Sequence, residues 1–237
     1  MPKLNGQQIK TIVFIFPLIC FSYFLILKIV SPNSYASVVQ EDSAIEYAQA
    51  VFYFLSAILA LVVSVRFFRN RYILHGIMFA VLCLGMIFTA GEEISWGQRL
   101  FDIKNPAYFD RYNLQAEMTL HNLIAVQPHL HDMYILLGFY GTFAWFFISK
   151  MKKSRAHILN FVAPDWFISS YFLFALLVYT YFEKVLPIGV NVWGFEELLL
   201  GGFFIWRDQE PAELLLSLGF LVFTVAIYLK TRKMFAA

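Results

Sequence analysis

Two stretches hold most of the side chains able to do chemistry. "GEEISWGQR", residues 91–99, places the adjacent carboxylates Glu92 and Glu93 ahead of Trp96 and Arg99, at the close of the uncharged run Tyr72 to Gly91. "NLQAEMTLHN", residues 113–122, adds Asn113, Gln115, Glu117, His121 and Asn122. If the second stretch is helical, Asn113, Glu117 and His121 fall at i, i+4 and i+8 in one polar stripe, with Leu114 and Met118 beside it and Pro128 marking its end. A glutamate four residues before a histidine can share a metal ion with it, or can orient the imidazole as an acid or base. The expected acid and base groups are therefore Glu92, Glu93, Glu117 and His121. A divalent metal, if one binds, would take Glu117 and His121 with Glu93. Arg99 would hold an anionic head group, with Trp96, Asn113, Gln115 and Asn122 as further substrate contacts. Each motif also has a plainer reading: a carboxylate pair that caps a helix and pairs with Arg99, and a Glu–His contact on a helix surface.

At the end of a membrane-crossing helix, Glu92 and Glu93 would face the negative pole of its dipole, which costs roughly 0.3–1 kcal/mol each. Either Gly91 ends the span and the glutamates open a new short helix, or a cation stands beside them. Arg99 qualifies, because Glu92, Trp96 and Arg99 share a helix face at i, i+4 and i+7.

The elements that must position these groups follow from composition. The 237 residues are 60% hydrophobic and 14% charged, with 27 phenylalanines and a mean hydropathy of +0.65, a balance that excludes a soluble globular domain. The fold class is all-α: a polytopic membrane protein of six transmembrane helices in three hairpins, at about 11–30, 46–66, 72–91, 131–150, 165–186 and 212–230, forming one transmembrane domain. Placing both termini in the cytoplasm puts 12 of the 18 basic residues on the inner side and 15 of the 16 acidic residues at or beyond the outer boundary. The expected setting is the plasma (inner) membrane with the long loops outside. Residues 1–36 also read as a signal peptide, although the apolar run exceeds the usual ~7–15 residues of a signal core.

This threading brings Glu46, Glu183, Glu196 and Glu197 to the same leaflet as Glu92, Glu93 and Glu117, as supporting members of an outward-facing acidic cluster. Residues 193–206, with Gly201 and Gly202, read as a re-entrant or interfacial element. Glu41, Asp42, Asp102, Asp110, Asp208 and Glu210 read as solvated anchors, and His129 and His131 as interfacial residues. His75 and His157 fall on the other side. Cys20 and Cys83 lie inside spans as packing residues, so neither a disulfide framework nor thiolate zinc is expected. GxSxG, Walker and HExxH motifs are absent from the sequence.

Taken together, "GEEISWGQRLF" followed by "NLQAEMTLHNL", with Glu41, Asp42 and Glu46 entering an early span, resembles a signature of uncharacterised bacterial multi-pass membrane proteins. The similarity covers residues 41–124, about a third of the chain, and groups these positions without implying a reaction. The expected function is a membrane-embedded hydrolase or transferase acting on a lipid or lipid-linked substrate, with membrane lipids as partners. One alternative is a non-catalytic subunit or assembly factor that docks a membrane-protein partner. Another is an ion-coupled transporter, against which stands the lack of formal charge in the middle of every span. Nothing in the sequence points to nucleic acid.

Overall fold

The computed structural model describes residues 5–40, 43–99, 101–151, 159–186 and 206–236. Its helices, in chain order, are α1 (Gly6–Val30), α2 (Pro32–Val39), α3 (Ala44–Arg69), α4 (Ile73–Glu93), α5 (Ala107–Tyr112), α6 (Gln127–Ser149), α7 (Ser169–Thr180) and α8 (Glu210–Met234). A 3-10 turn at Trp166–Ile168 and a π turn at Tyr181–Val185 extend α7, and a 3-10 turn at Trp206–Gln209 leads into α8. Six runs are long and apolar enough to cross a bilayer: α1, α3, α4, α6, the extended α7 and the extended α8. At 1.5 Å per residue, 20 residues reach about 30 Å, the thickness of the hydrocarbon layer. The chain is an integral membrane protein with an all-α fold.

Local chemistry sets the helix ends. Asn5 and Gln8 form a reciprocal capping box at the start of α1. At the close of α3, Arg66 and Arg69 face the negative pole of the helix dipole, and the Asn70 carboxamide donates to the Arg66 carbonyl. Arg71, with φ of 64°, turns the chain into α4.

Lipid gives no hydrophobic drive for helices to associate, so close packing must supply it. α3 is the central helix, flanked by α4 and α8. It buries a stripe of Tyr53, Ala57, Ala60, Val63 and Phe67, and its small side chains let its neighbours approach. α6 packs on α7 through Gly138 and Gly141; a Cβ on Gly138 would stand 2.7 Å from the Leu176 backbone nitrogen. α1 lies at the periphery, exposing Ile12, Ile19 and Ile26. It is tied to the start of α8 by Lys28, which pairs with Asp208, while the Tyr35 hydroxyl donates to the same carboxylate at 2.7 Å. Burial and the Asp208 carboxylate push the Tyr35 phenol above its ordinary pKa. Asp208 is thus a buried anchor between helices and departs from the solvated role that its place before a span suggested.

The ends of the bundle differ in charge. The starts of α3, α6 and α8 meet the ends of α4 and α7 at an acidic end, whereas Arg66, Arg69, Lys230, Arg232 and Lys233 lie at the opposite, basic end. His75 is at the basic end, buried and stacked on Phe67.

The stretch 113–122 is not helical. Its ends are joined by an antiparallel bridge between Asn113 and Leu123, and Pro128 begins α6 instead of ending a helix. The polar stripe expected at i, i+4 and i+8 therefore does not form. Glu196 and Glu197, with Gly201 and Gly202, lie outside the described residues.

Candidate functional site

The site starts from the reversal after α4. Ser95, Trp96 and Gly97 take φ of 48°, 53° and 78°, three successive left-handed residues that fold the chain back over the helix end. Gly91 makes room for the returning indole, since a Cβ there would meet the Trp96 ring at 2.8 Å. The indole Nε1 then donates to Glu92 Oε1 at 2.6 Å. Trp96 is consequently a clamp on Glu92, and Glu92, Trp96 and Arg99 do not share a continuous helix.

Glu92 organises the loop that follows. Its Oε2 accepts from the backbone N–H groups of Leu120 (2.7 Å) and His121 (2.9 Å) and lies 3.2 Å from His121 Nδ1. With four donors on a buried carboxylate, the negative pole expected from the α4 dipole is outweighed by charge-assisted hydrogen bonds. Gln98 Oε1 accepts from the Met118 N–H at 2.7 Å, holding the loop at a second point. Within the loop, Asn113 Oδ1 accepts from the N–H groups of Gln115 (2.9 Å) and Glu117 (3.3 Å), and its Nδ2 donates to the Thr119 carbonyl at 2.8 Å. Asn113 is a structural residue of the turn. Gln115 and Asn122 hydrogen-bond each other across it.

Glu117 pairs with Arg99 through one oxygen and accepts from the Ser95 hydroxyl, at 2.7 Å, through the other. The Glu–His pair at i and i+4 is replaced by two separate pairs, Glu117 with Arg99 and His121 with Glu92. Arg99 spends its charge within the protein, so the anion-holding role expected for it is opposed by Glu117.

These groups form one side of a cavity of about 170 Å³ at the acidic end. Glu92, Glu93, Arg99, Gln115, Glu117, His121 and Asn122 line it from α4 and the loop, and Glu46 lines it from α3. Eight of the residues expected from the sequence are thus brought together. Asn113 and Trp96 support this wall from behind. Glu183 reaches the cavity only through His131, whose Nδ1 lies 2.6 Å from Glu183 Oε1.

The opposite wall consists of residues that sequence reasoning passed over or, for His131 and Glu210, placed at the interface or in solvent. His131 and Tyr134 come from α6, Tyr179 from α7, and Arg207, Gln209, Glu210 and Glu213 from the start of α8. Tyr134 and Tyr179 stack at 4.5 Å between centroids, and the Tyr179 hydroxyl donates to Glu213. Glu210 accepts from Gln49 Nε2 at 3.1 Å, and Arg207 lies 3.8 Å from Glu46 and 3.9 Å from Glu210. Glu210 is a cavity residue, and His131 is a wall residue within hydrogen-bond distance of Glu183; neither is a lone interfacial group. The pair Glu210 and Glu213, three apart in the first turn of α8, was the available signal, because that spacing puts both carboxylates on one face.

Chemically, the Glu92–His121 pair is poised for proton transfer. Glu92 Oε2 is an acceptor that already takes two N–H groups, so the Nδ1 facing it is placed to donate and Nε2 is turned away from the carboxylate. Among the described residues Nε2 has no hydrogen-bond partner, and His121 lines the cavity with its side chain 37% exposed. No three His, Cys, Asp or Glu side chains among the described residues gather as a metal site, and of the suggested Glu117–His121–Glu93 set Glu117 faces Arg99 and His121 faces Glu92. Glu93 shares the cavity wall with the carboxylates of Glu213, Glu210, Glu46 and Glu92. No family model, no curated protein and no solved structure matches the chain.

Proposed function

We propose that the protein is a membrane-embedded hydrolase or transferase that uses the Glu92–His121 pair on a lipid or lipid-linked substrate. The observation that carries this reading is the imidazole held by a buried carboxylate at the wall of a polar cavity, with Nε2 left for the substrate. In such a reaction Nε2 takes the proton of a water or hydroxyl as its oxygen bonds to an ester carbon or phosphorus. The imidazolium then returns that proton to the departing oxygen, and Glu92 stabilises the transient charge. The segregation of basic residues to the other end supports an orientation with both termini in the cytoplasm and the cavity facing outward, in an inner membrane. The test is to incubate the protein in nanodiscs with a bacterial total-lipid extract and follow all lipid species by mass spectrometry. A species consumed by the wild type should persist with His121→Ala, whose rate falls roughly 10²–10⁴-fold. Identical lipid profiles with and without the wild-type protein would remove the catalytic reading. Docking of a membrane-protein partner is the second reading, favoured by Phe101, Tyr108 and Leu114, large apolar side chains exposed on the outer segment.

A further inference from the structure

The polar cavity has an apolar neighbour built from the same helices. A second cavity, of about 200 Å³, is lined by Phe79 and Leu82 of α4, Leu137 and Tyr140 of α6, Phe172 of α7 and Phe220 of α8. Phe172 lies seven residues from Tyr179, and Phe220 seven residues from Glu213, so each stands two turns, about 10.5 Å, deeper on a helix face that also lines the polar cavity. On α6, Leu137 follows Tyr134 by one turn. α4 packs against α3, and α6 against α7, but α4 and α6 do not form a packed pair. On the α4 stripe of Leu82, Gly85 and Thr89, a Cβ added to Gly85 would meet no atom within 4 Å. The cavity walls that α4 and α6 supply are thus polar at the acidic end and apolar at depth, and Gly85, between them along α4, is exposed.

The charge on the walls selects the head group. Six carboxylates line the polar cavity against the guanidinium groups of Arg99 and Arg207, and both guanidinium groups already face glutamates. An anionic head would be repelled. The carboxylates facing Glu93 are not gathered closely enough to ligate one metal ion, whereas an ammonium spreads three N–H donors over separate acceptors. Gln209 supplies an independent observation: it is 8% exposed, it lies in the cavity wall, and among the described residues its Nε2 has no hydrogen-bond partner. That donor calls for an acceptor oxygen on whatever occupies the cavity.

We propose that the cavity binds a lipid with a primary ammonium head group, its nitrogen at Glu93 and Glu213, an ester or hydroxyl oxygen at Gln209, and its hydrocarbon chain between α4 and α6 over Leu82, Gly85 and Leu137. This assignment of substrate class rests on the catalytic reading of the same cavity, and binding can be measured apart from turnover. The full chain is reconstituted in phosphatidylglycerol vesicles carrying a trace of phosphatidylethanolamine or of phosphatidylglycerol, each with a photoactivatable diazirine in its acyl chain. The ethanolamine probe should label peptides around Leu82 to Thr89 and Tyr134 to Tyr140 roughly tenfold more than the glycerol probe, the effect of one charge-assisted contact. Glu93→Gln should bring the ratio towards one. Gly85→Phe, at a position where an added Cβ meets no atom within 4 Å, should abolish labelling of these peptides. Equal labelling by the two probes, labelling untouched by Gly85→Phe, or full displacement by soluble ethanolamine would each overturn the proposal. Selective labelling without any lipid turnover supports the binding assignment and counts against catalysis. Turnover of a lipid lacking an amine, without selective labelling, does the reverse.

Discussion

Replacing Glu92 by glutamine removes a charge and one acceptor while keeping the shape, so the loss can be worked from the bonds it makes. The carboxylate accepts from Trp96 Nε1, the N–H groups of Leu120 and His121, and His121 Nδ1, and it is 4% exposed. An amide can place its single oxygen where three of these donors converge. Its NH2 then faces the indole N–H, donor against donor. Hydrogen bonds to a charged group contribute about 1.5–3 kcal/mol net and neutral ones about 0.5–1.5, so three weakened bonds and one lost bond give about 6 kcal/mol. Trp96 is 47% exposed and can turn to water, which lowers the expected loss to about 5 kcal/mol. Unfolding in detergent followed by tryptophan fluorescence would read the stability. Hydrogen exchange at the Leu120 and His121 amides would show whether the loop detaches. Trp96→Phe, which deletes one bond only, should cost about 1 kcal/mol. A Glu92→Gln protein within about 0.5 kcal/mol of wild type, with both amides exchanging at the original rate, would refute the view that this carboxylate holds the loop.

Arg99→Ala leaves the buried Glu117 with Ser95 as its remaining partner; given the partial exposure of the arginine, a loss of about 1–2 kcal/mol in detergent unfolding is expected. Gly138→Ala forces a Cβ against the Leu176 backbone and should destabilise the α6–α7 pair by about 1–3 kcal/mol, whereas Gly85→Ala, in open space, should be neutral or stabilising by up to about 1 kcal/mol in the same melts. Lys28→Met leaves Asp208 buried with the Tyr35 hydroxyl and without its cation, so a loss of about 3–5 kcal/mol is expected; the double change Lys28→Met, Asp208→Leu should recover a measurable part of it.

The membrane spans were legible because lipid imposes a rule on every residue of a run: Tyr72 to Gly91 contains no formal charge, and α4 covers Ile73–Glu93. The expectation of acids at one end rests on the same reasoning, since charge collects at helix ends. The loop at 113–122 was not legible, because a helical period there competes with a side chain that satisfies the backbone directly. Asn113 accepts from the Gln115 and Glu117 N–H groups, a local alternative that carries no periodic signal. The partner of His121 was missed for a related reason. Glu117 is four residues away in sequence, but the fold supplies Glu92 from 29 positions upstream. The wall formed by Arg207 to Glu213 depends on lateral helix packing, and no pattern within one helix says which neighbour its first turn will face.

The two walls of the cavity differ in how far along the chain their bonds reach. Glu92 to His121 spans 29 positions and Ser95 to Glu117 spans 22, whereas Gln49 to Glu210 and Glu46 to Arg207 each span 161. A chain made from its N-terminus can therefore close the loop on α4 while much of the bundle has yet to be synthesised. Until the start of α8 arrives, Glu46 has no Arg207 opposite it and Gln49 no Glu210. Insertion of the last span is then the step that adds the second wall to the first, so the order of synthesis is also the order in which the two walls are built.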